Sequence, residues 1–357
     1  MLRRGLLDML RMSAALLARD TIPWFGNHTG YEQLPGYLAR HLKCSIVSRR
    51  PGMAPRYIGS VIDTLLRRPR AGSVTTSDIE LLFKRGTLRP AVTHILYGDQ
   101  RLRLLNPWRK APRDIVATLH LPQSTWNNDA RARLNRLSSA IVLYQRDIDF
   151  FQGAVGRGRV RFNRHGVDTD FFSPGARNFN KPRRILYNGI YLRNLPMLGR
   201  VIMRLMQTRR DIVFDFLVPK HARSEVALRP FIGHPAVTWH AELTDEALRD
   251  LYRQAYLLLL PMDESGANTA VVEALSSGLP IVTTDVGGIR DYGGGSVFPV
   301  LANNDDDGMV AAVIRYLDDS SLRDDVGRRG RQFAEDQLAW PLIAEQHIEA
   351  YRQLLQT

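Results

Sequence analysis

The residues best placed to do chemistry lie in one stretch, Asp263 to Asp291, which reads DESGANTAVVEALSSGLPIVTTDVGGIRD. Glu273 sets a carboxylate inside an apolar segment, where it can accept two hydrogen bonds from a vicinal diol such as a ribose. Ahead of it, Ser265, Gly266, Ala267 and Asn268 are small enough to let a ligand reach the backbone. If Thr269 opens a helix, its free N–H groups and the positive end of its dipole suit a phosphate. Together these read as a grip on a nucleotide. An ordinary strand-to-helix crossover with a solvated glutamate fits the same spacing, because such turns are common.

The flanking elements must hold these groups in place. Ala255 to Leu260 is an apolar run that ends at Pro261 and reads as a buried strand. Ala270, Val271, Ala274 and Leu275 recur at helical spacing, so Thr269–Ser277 reads as a helix that Gly278 and Pro280 stop. A second buried strand, Pro280–Thr284, leads to the turn at Gly287 and Gly288. Strand, helix, strand is a right-handed crossover in a parallel sheet, and ligands sit beyond the carboxyl ends of such strands. By the same rule His120, after the apolar run Ile115–Leu119, is placed for ligand contact.

Glu273-Ala274-Leu275, followed by Ser276-Ser277-Gly278-Leu279-Pro280, resembles the donor-site signature of the group-1 family of retaining glycosyltransferases. The resemblance covers about residues 90–350. It implies an α/β fold of two Rossmann-like domains facing across a cleft (GT-B), with a C-terminal helix crossing back to the N-terminal domain. It gives Glu273 the nucleotide ribose. The family's first acidic residue falls on Ser265, a departure, and Glu264 or Asp263 supplies a carboxylate only if the loop shifts by one residue. It gives His120 the transferred sugar. The Gly26-Asn27-His28-Thr29-Gly30 loop would touch acceptor or donor phosphate, which singles out Gly26, His28 and Gly30. After Gly189 the family carries an arginine and then a lysine for the diphosphate; here Arg193 is the only cation of the loop Gly189–Asn194. The backbone near Trp239–Glu242 would flank the base. The link at 160–174 resembles the family's interdomain hinge, with His165 for the usual Asn and Gly166 allowing a positive φ. No metal or cofactor is expected, and Asp305-Asp306-Asp307 reads as a loop before a helix rather than a metal site.

The expected organisation is an acceptor domain at 1–174, a donor domain at 175–341 and a returning helix at 342–357. Within the first, 1–19 reads as a basic amphipathic helix able to lie on an anionic membrane. Further helices are expected at Glu32–Leu42, Tyr57–Leu66 and near Glu225–Pro230, a short strand at Thr21–Phe25, and linkers at Arg67–Gly72 and Gly175–Arg184.

Charge is lopsided. Residues 1–178 hold 29 Lys+Arg against 13 Asp+Glu, a net of +16, whereas 179–357 hold 20 against 23. An excess of that size favours an anionic partner: a lipid surface, a pyrophosphate-linked acceptor or a nucleic acid. A solvated arginine-rich surface fits it equally. Its arginines carry no interleaved run of stacking aromatics, which argues against nucleic acid. One cysteine, Cys44, permits no internal disulfide and suits a reducing compartment. No run approaches the length of a membrane span, and charges at Arg3, Arg4, Asp8 and Arg11 argue against a signal peptide. No Walker lysine, serine elbow or zinc spacing is present.

The expectation is therefore a metal-independent, hexosyltransferase-like retaining enzyme, cytoplasmic or peripheral on the inner membrane face. It would move a sugar from a nucleotide-diphosphate donor to a glycan, lipid-linked or other acceptor in cell-surface polysaccharide or glycolipid synthesis. Three rivals remain: a sugar-nucleotide epimerase, a degenerate non-catalytic partner subunit, and a basic protein that binds anionic polymers.

Overall fold

The computed structural model describes residues 14–19, 26–48, 53–65, 73–101, 111–126, 128–175 and 182–356. Expectations for 1–13, Thr21–Phe25, Arg67–Gly72 and 176–181 lie outside them. The chain forms two compact units, one of Met1–Phe25, Tyr31–Asn163 and Pro341–Thr357, the other of Gly26–Gly30 and Arg164–Trp340. The division falls eleven residues before the expected 174/175 boundary.

Each unit is a doubly wound parallel sheet. In the first, β1 (Ala14–Arg19), β2 (Lys43–Ser48), β3 (Val92–Ile95), β4 (Ile115–Leu119), β5 (Ser139–Val142) and β6 (Val160–Phe162) lie in the order β2-β1-β3-β4-β5-β6. Its helices include α1 (Met53–Leu65) and α2 (Ser73–Leu88). In the second, β7 (Arg183–Asn188), β8 (Ile212–Leu217), β9 (Val237–His240), β10 (Leu257–Leu260), β11 (Ile281–Thr284) and β12 (Val300–Leu301) lie in the order β12-β11-β10-β7-β8-β9. Around it pack α3 (Leu195–Thr208), α4 (Asp245–Gln254), α5 (Thr269–Ser276) and α6 (Asp306–Asp318). The last helix, α7 (Trp340–Gln356), has all but its first residue in the first unit.

Parallel strands covered on both faces need apolar side chains at every position. β10 is four consecutive leucines, all fully buried. The same rule corrects the last six residues of the segment 1–19 read as a helix. Ala14–Arg19 is β1, paired on one side with β2 and on the other with β3. Leu16 and Leu17 are both fully buried, on opposite faces of one strand. A short apolar run of this kind cannot be told from a buried helix by periodicity. The helix expected near Glu225–Pro230 is absent: the segment is turns followed by a 3₁₀ turn at Arg229–Phe231. Pro230 lacks an N–H and disfavours helix at the residue before it. Glu32–Leu42 holds only a 3₁₀ turn, Tyr31–Gln33, and a short helix, Leu34–Leu38.

Of the segment expected as a hinge, 160–163 belongs to the first unit and 164–174 packs in the second. The His165 N–H donates to Tyr292 Oη (2.8 Å) and the Val167 N–H to the Leu338 carbonyl (2.8 Å). Gly166 does not adopt a positive φ. It is glycine because a Cβ there would meet the Trp340 ring at 2.3 Å.

In the first unit, α7 is fastened to the sheet by a buried chain of hydrogen bonds. The His347 Nδ1–H donates to the Ile343 carbonyl (2.7 Å), so its Nε2 accepts from Tyr31 Oη (2.6 Å). Tyr31 Oη then accepts from Thr118 Oγ1 (3.1 Å), which accepts from His94 Nε2 (2.7 Å). His94 Nδ1 accepts in turn from Tyr351 Oη (2.7 Å). Each inner group, His347, Tyr31, Thr118 and His94, donates once and accepts once, so a single set of neutral tautomers satisfies the chain. Burial holds His94 well below the usual imidazole value of 6.5, and the neighbouring His347 and His120 push the same way.

A histidine with a depressed folded pKa contributes stability that is present above 6.5 and lost as pH falls, because the unfolded chain takes up the proton first. Asp99, raised by burial to about 6, works in the opposite sense. The test is therefore the difference between wild type and His94→Gln. Chemical denaturation between pH 7 and 5 should show the wild type losing up to about 1.4 kcal/mol per pH unit more than the variant. Parallel pH profiles would show that His94 carries no such linkage.

Candidate active site

The second sheet reverses its order between β7 and β10. The chain runs outward through β7, β8 and β9, then crosses back to place β10 on the other side of β7. Connections diverge there, and ligands of such sheets bind beyond the carboxyl ends of those two strands. The loops at this end are Gly189–Asn194 after β7 and Pro261–Asn268 after β10. They are stitched together: the Asn194 N–H donates to the Pro261 carbonyl (3.1 Å) and the Asp263 N–H to the Leu192 carbonyl (3.1 Å). Asn194 also caps α3, accepting from the Met197 N–H (2.9 Å).

α5 starts at this end of the sheet. Asn268 is its cap, with Oδ1 accepting from the Ala270 N–H (3.1 Å). The same oxygen receives Arg193 Nη2 (3.5 Å), so the guanidinium stands beside the amino end of the helix. Arg193 is otherwise held by neutral acceptors, the carbonyls of Asn188 (3.1 Å) and Tyr191 (3.1 Å) and the Met262 sulfur (3.6 Å). Among the described residues no carboxylate lies within ion-pair distance of it. Burial lowers its pKa, against a small raising influence from Tyr187 and Tyr252. A fixed cation without a counter-charge, next to a helix amino end, is a site for an anion.

Glu273 is one turn further along α5 and 2% exposed. Its Oε1 accepts from Thr29 Oγ1 (3.0 Å) and its Oε2 from Tyr252 Oη (2.9 Å). Tyr252 Oη accepts from Asn188 Nδ2 (2.9 Å), which ties the carboxyl back to the end of β7. Burial pushes Glu273 up to about 8, although both hydroxyl donors favour the charged form. Each oxygen keeps a lone pair beyond the one in use.

Residues 183–319 match the family model described as glycosyl transferases group 1. The match covers this segment of the second unit, the part that carries β7 to α6. Curated relatives include the MMP α-(1→4)-mannosyltransferase of Mycolicibacterium hassiacum, 26% identical over 195 residues, covering 53% of this chain and 47% of that protein. Another is the sulfoquinovosyl transferase SQD2 of Arabidopsis thaliana, 26% identical over 201 residues, covering 51% and 38%. This chain spans less than half the length of either. Among solved structures, sucrose-phosphate synthase of Thermosynechococcus elongatus is similar with a TM-score of 0.75 at 16% identity, over 96% of this chain and 99% of that one. Anabaena HepE in complex with UDP is similar with a TM-score of 0.69 at 14% identity, over 95% and 99%. At these identities the likeness speaks for the fold, which is GT-B.

The other residues singled out are placed as follows. Ser265 is buried, and its hydroxyl donates to the Gly266 carbonyl (3.0 Å), so it is turned into the loop. Glu264 Oε1 accepts from the Ser265 N–H (3.0 Å), so the loop's half-buried carboxylate sits one residue before the expected position. Gly266 is buried, whereas Ala267 and Thr269 are half-buried. Gly189 follows β7 with φ +86°. Gly26, His28 and Gly30 belong to the second unit. The N–H groups of Asn27 (2.6 Å) and His28 (3.2 Å) donate to Asp245 Oδ2, and His28 Nδ1 donates to Asp168 Oδ2 (2.7 Å). The His28 ring stacks on Phe171, with centroids 3.8 Å apart. These loop groups are thus spent on the protein, and Thr29, which the sequence reading passed over, is the residue that reaches Glu273.

In the first unit His120 follows β4. Its Nε2–H donates to the Leu96 carbonyl (2.8 Å), which leaves Nδ1 as an acceptor. Burial lowers it to about 4, so it is neutral at physiological pH. Tyr97 stacks against it at 4.5 Å, and Asp99 accepts its backbone N–H (2.9 Å).

Tyr252, Asn188 and Asp245 were also missed. Tyr252 left a usable signal, since a tyrosine on the buried face of a helix needs a partner for its hydroxyl. The Asp305–Asp307 run has three separate duties. Asp305 caps α6 through the Gly308 N–H (2.8 Å), Asp306 pairs with Arg200 (2.5 Å) and Asp307 with Arg204. Near the expected base-flanking segment, the His240 carbonyl accepts from the Val218 N–H (3.1 Å), and Trp239 Nε1 donates to the Phe231 carbonyl (3.3 Å).

The donor loop is shaped by Gly287. It has φ +54°, and a Cβ there would fall 1.7 Å from the Ser265 carbonyl oxygen. That carbonyl also accepts the Gly288 N–H (2.8 Å). Gly287→Ala must displace the backbone of the 263–268 loop. A loss of roughly 1–3 kcal/mol in denaturant titrations is expected, as for an overpacked site. An unchanged midpoint would show that the loop yields freely.

Proposed function

We propose that this chain is a retaining glycosyltransferase that takes a nucleotide-diphosphate sugar as donor and a glycan, lipid-linked or other acceptor. The observation that carries the reading is the un-neutralised Arg193 at the amino end of α5, with the Glu273 carboxyl one turn further in. Arg193 and the N–H groups at Asn268–Thr269 bind the diphosphate, and Glu273 binds the ribose diol. Glu264 and the backbone of Ser265, Gly266 and Ala267 position the sugar, and the backbone near Trp239–Glu242 flanks the base. His120 of the first unit accepts a hydrogen bond from a sugar hydroxyl. Anabaena HepE, of similar fold, has been solved with UDP and with UDP-glucose, which supports a nucleotide-sugar donor. The relatives' names include a mannosyltransferase and a sulfoquinovosyl transferase, in keeping with a hexose-type sugar.

Charge separates when the glycosidic bond breaks, leaving an oxocarbenium-like sugar and a diphosphate with added negative charge. Arg193 and the helix end oppose that charge without reorganising. No side chain at this end of the second sheet is poised as a nucleophile, which favours same-face transfer with the leaving phosphate taking the acceptor proton. No metal enters the scheme. Cell-surface polysaccharide or glycolipid synthesis on the inner membrane face suits such chemistry. Among the described residues no helix is long and apolar enough to cross a membrane.

A second reading has its own observation. Ser265 stands where the family carries an acidic residue, and its hydroxyl is consumed within the loop. A degenerate, non-catalytic subunit would have that feature. A panel of nucleotide-diphosphate sugars, assayed for transfer or hydrolysis, separates the two; donor binding with no turnover on any acceptor would favour the subunit.

Arg193→Ala should lower kcat by roughly 10²-fold, the scale for losing one preorganised charge donor, with a small change in melting temperature. An unaltered kcat would move the phosphate site elsewhere. Glu273→Ala should weaken nucleotide binding by about 1–3 kcal/mol in calorimetry. The pH profile adds a sign. Ribose hydroxyls donate to the ionised carboxylate, so binding lowers the pKa of Glu273 from about 8 and releases a proton. Wild-type affinity should therefore rise as pH approaches 8, and Glu273→Gln should lack that rise. Equal profiles would contradict the ribose role.

A further inference from the structure

α1 is amphipathic with its faces reversed. The residues it turns inward are Gly59 and Asp63, and Asp63 is 1% exposed and accepts from Thr75 Oγ1 of α2 (2.7 Å). The residues it turns outward are Met53, Tyr57, Ile58, Val61 and Leu65, of which Met53 is 89%, Leu65 76% and Tyr57 73% exposed. At 100° per residue those five span one continuous face. α2 packs beside it and adds Ile79 and Phe83, one turn apart, with Phe83 70% exposed. Scattered apolar side chains on a surface mean little. Seven large ones on two adjoining helices, with an aspartate buried beneath, mean that the face is meant to be covered.

The charge around the face says by what. Residues 40–89 contain eleven Lys+Arg and three acidic residues, Asp63, Asp78 and Glu80. Asp63 and Asp78 are buried, and Glu80 pairs with Lys84 (3.0 Å). So this stretch offers solvent no uncompensated carboxylate, whereas Arg40, Lys43, Arg56 and Arg89 are exposed. Arg56 lies on α1 itself, and an apolar stripe in a stretch whose free charge is of one sign complements an extended anionic plane with a fluid apolar interior. A protein partner would call for a more mixed rim.

We propose that the outward face of α1 and α2 docks the protein on an anionic lipid surface. Tyr57, Val61, Leu65 and Phe83 enter the headgroup boundary, and the surrounding cations meet the lipid phosphates. The contact is thereby placed in these two helices and not in residues 1–19, whose last six form the strand β1. It does not depend on the glycosyltransferase reading, though it would bring the first unit to a lipid-borne acceptor.

The test is co-sedimentation of the full chain with phosphatidylcholine vesicles, with and without phosphatidylglycerol. Wild type should bind the anionic vesicles, bind the neutral ones weakly, and release as salt rises. The variant Tyr57→Ser/Leu65→Ser/Phe83→Ser should lose binding by roughly tenfold or more, given the apolar area removed. Its melting temperature and nucleotide binding should match wild type, since all three side chains are exposed. Deletion of residues 1–12 should retain the binding. The proposal is overturned if wild type ignores anionic vesicles, if the triple variant binds like wild type, or if deleting 1–12 alone abolishes binding. Self-association in sedimentation velocity that the triple variant removes would assign the face to a second copy and equally overturn the lipid reading.

Discussion

The second unit depends on two ionisable groups at one helix end, Glu273 buried and Arg193 half-buried, that are not paired to each other. Arg193 is lodged among carbonyls and an amide oxygen, and Glu273 among hydroxyls. Pairing them would have been the simplest way to offset their desolvation. Keeping them apart leaves each short of an opposite partner, and a ligand that carries both a negative group and hydroxyl donors supplies what each lacks. The local fold follows from that arrangement. Strand order reverses beside these groups, Asn188 at the end of β7 holds Arg193 through its carbonyl and reaches Glu273 through Tyr252, and Asn268 caps the helix while facing the cation. Gly287 lets the loop backbone close over itself.

The first unit uses polarity differently. Its buried histidines, tyrosines and threonine form a closed donor–acceptor chain that fixes how α7 lies on the sheet. Nothing in that chain remains open to a ligand, so it serves order rather than chemistry. His120 is different, because one ring nitrogen is anchored to a backbone carbonyl and the other is left to accept. α1 is the exception to the unit's economy, since it hides an aspartate and shows its apolar side chains.

The sheets and the crossover at α5 were legible because each follows from local pattern, whereas the returning helix came only from the resemblance. Runs such as Leu257–Leu260 and Ile281–Thr284 tolerate little but a doubly covered strand, and Gly278 with Pro280 leaves the helix nowhere to continue. Where pattern was ambiguous the reading failed. Leu16 and Leu17 suit a helix as well as the central strand they form. Glu225–Leu228 suits a helix until Pro230 is weighed against it. Gly166 suggests a turn, yet it is small because of Trp340, 174 positions away.

The sequence by itself determined the class of fold, the strand–loop–helix that carries Glu273, and the family to which that segment belongs, because periodicity, stop signals and motif are properties of neighbouring residues. Only the tertiary structure decided that Tyr252, Asn188 and Thr29 hold Glu273, that Ser265 is turned inward, that Arg193 lacks a counter-charge, and that α1 faces outward. Those are facts about which side chains meet after the chain has folded. The separations involved, 244 residues between Thr29 and Glu273 for one, lie far beyond what spacing can encode.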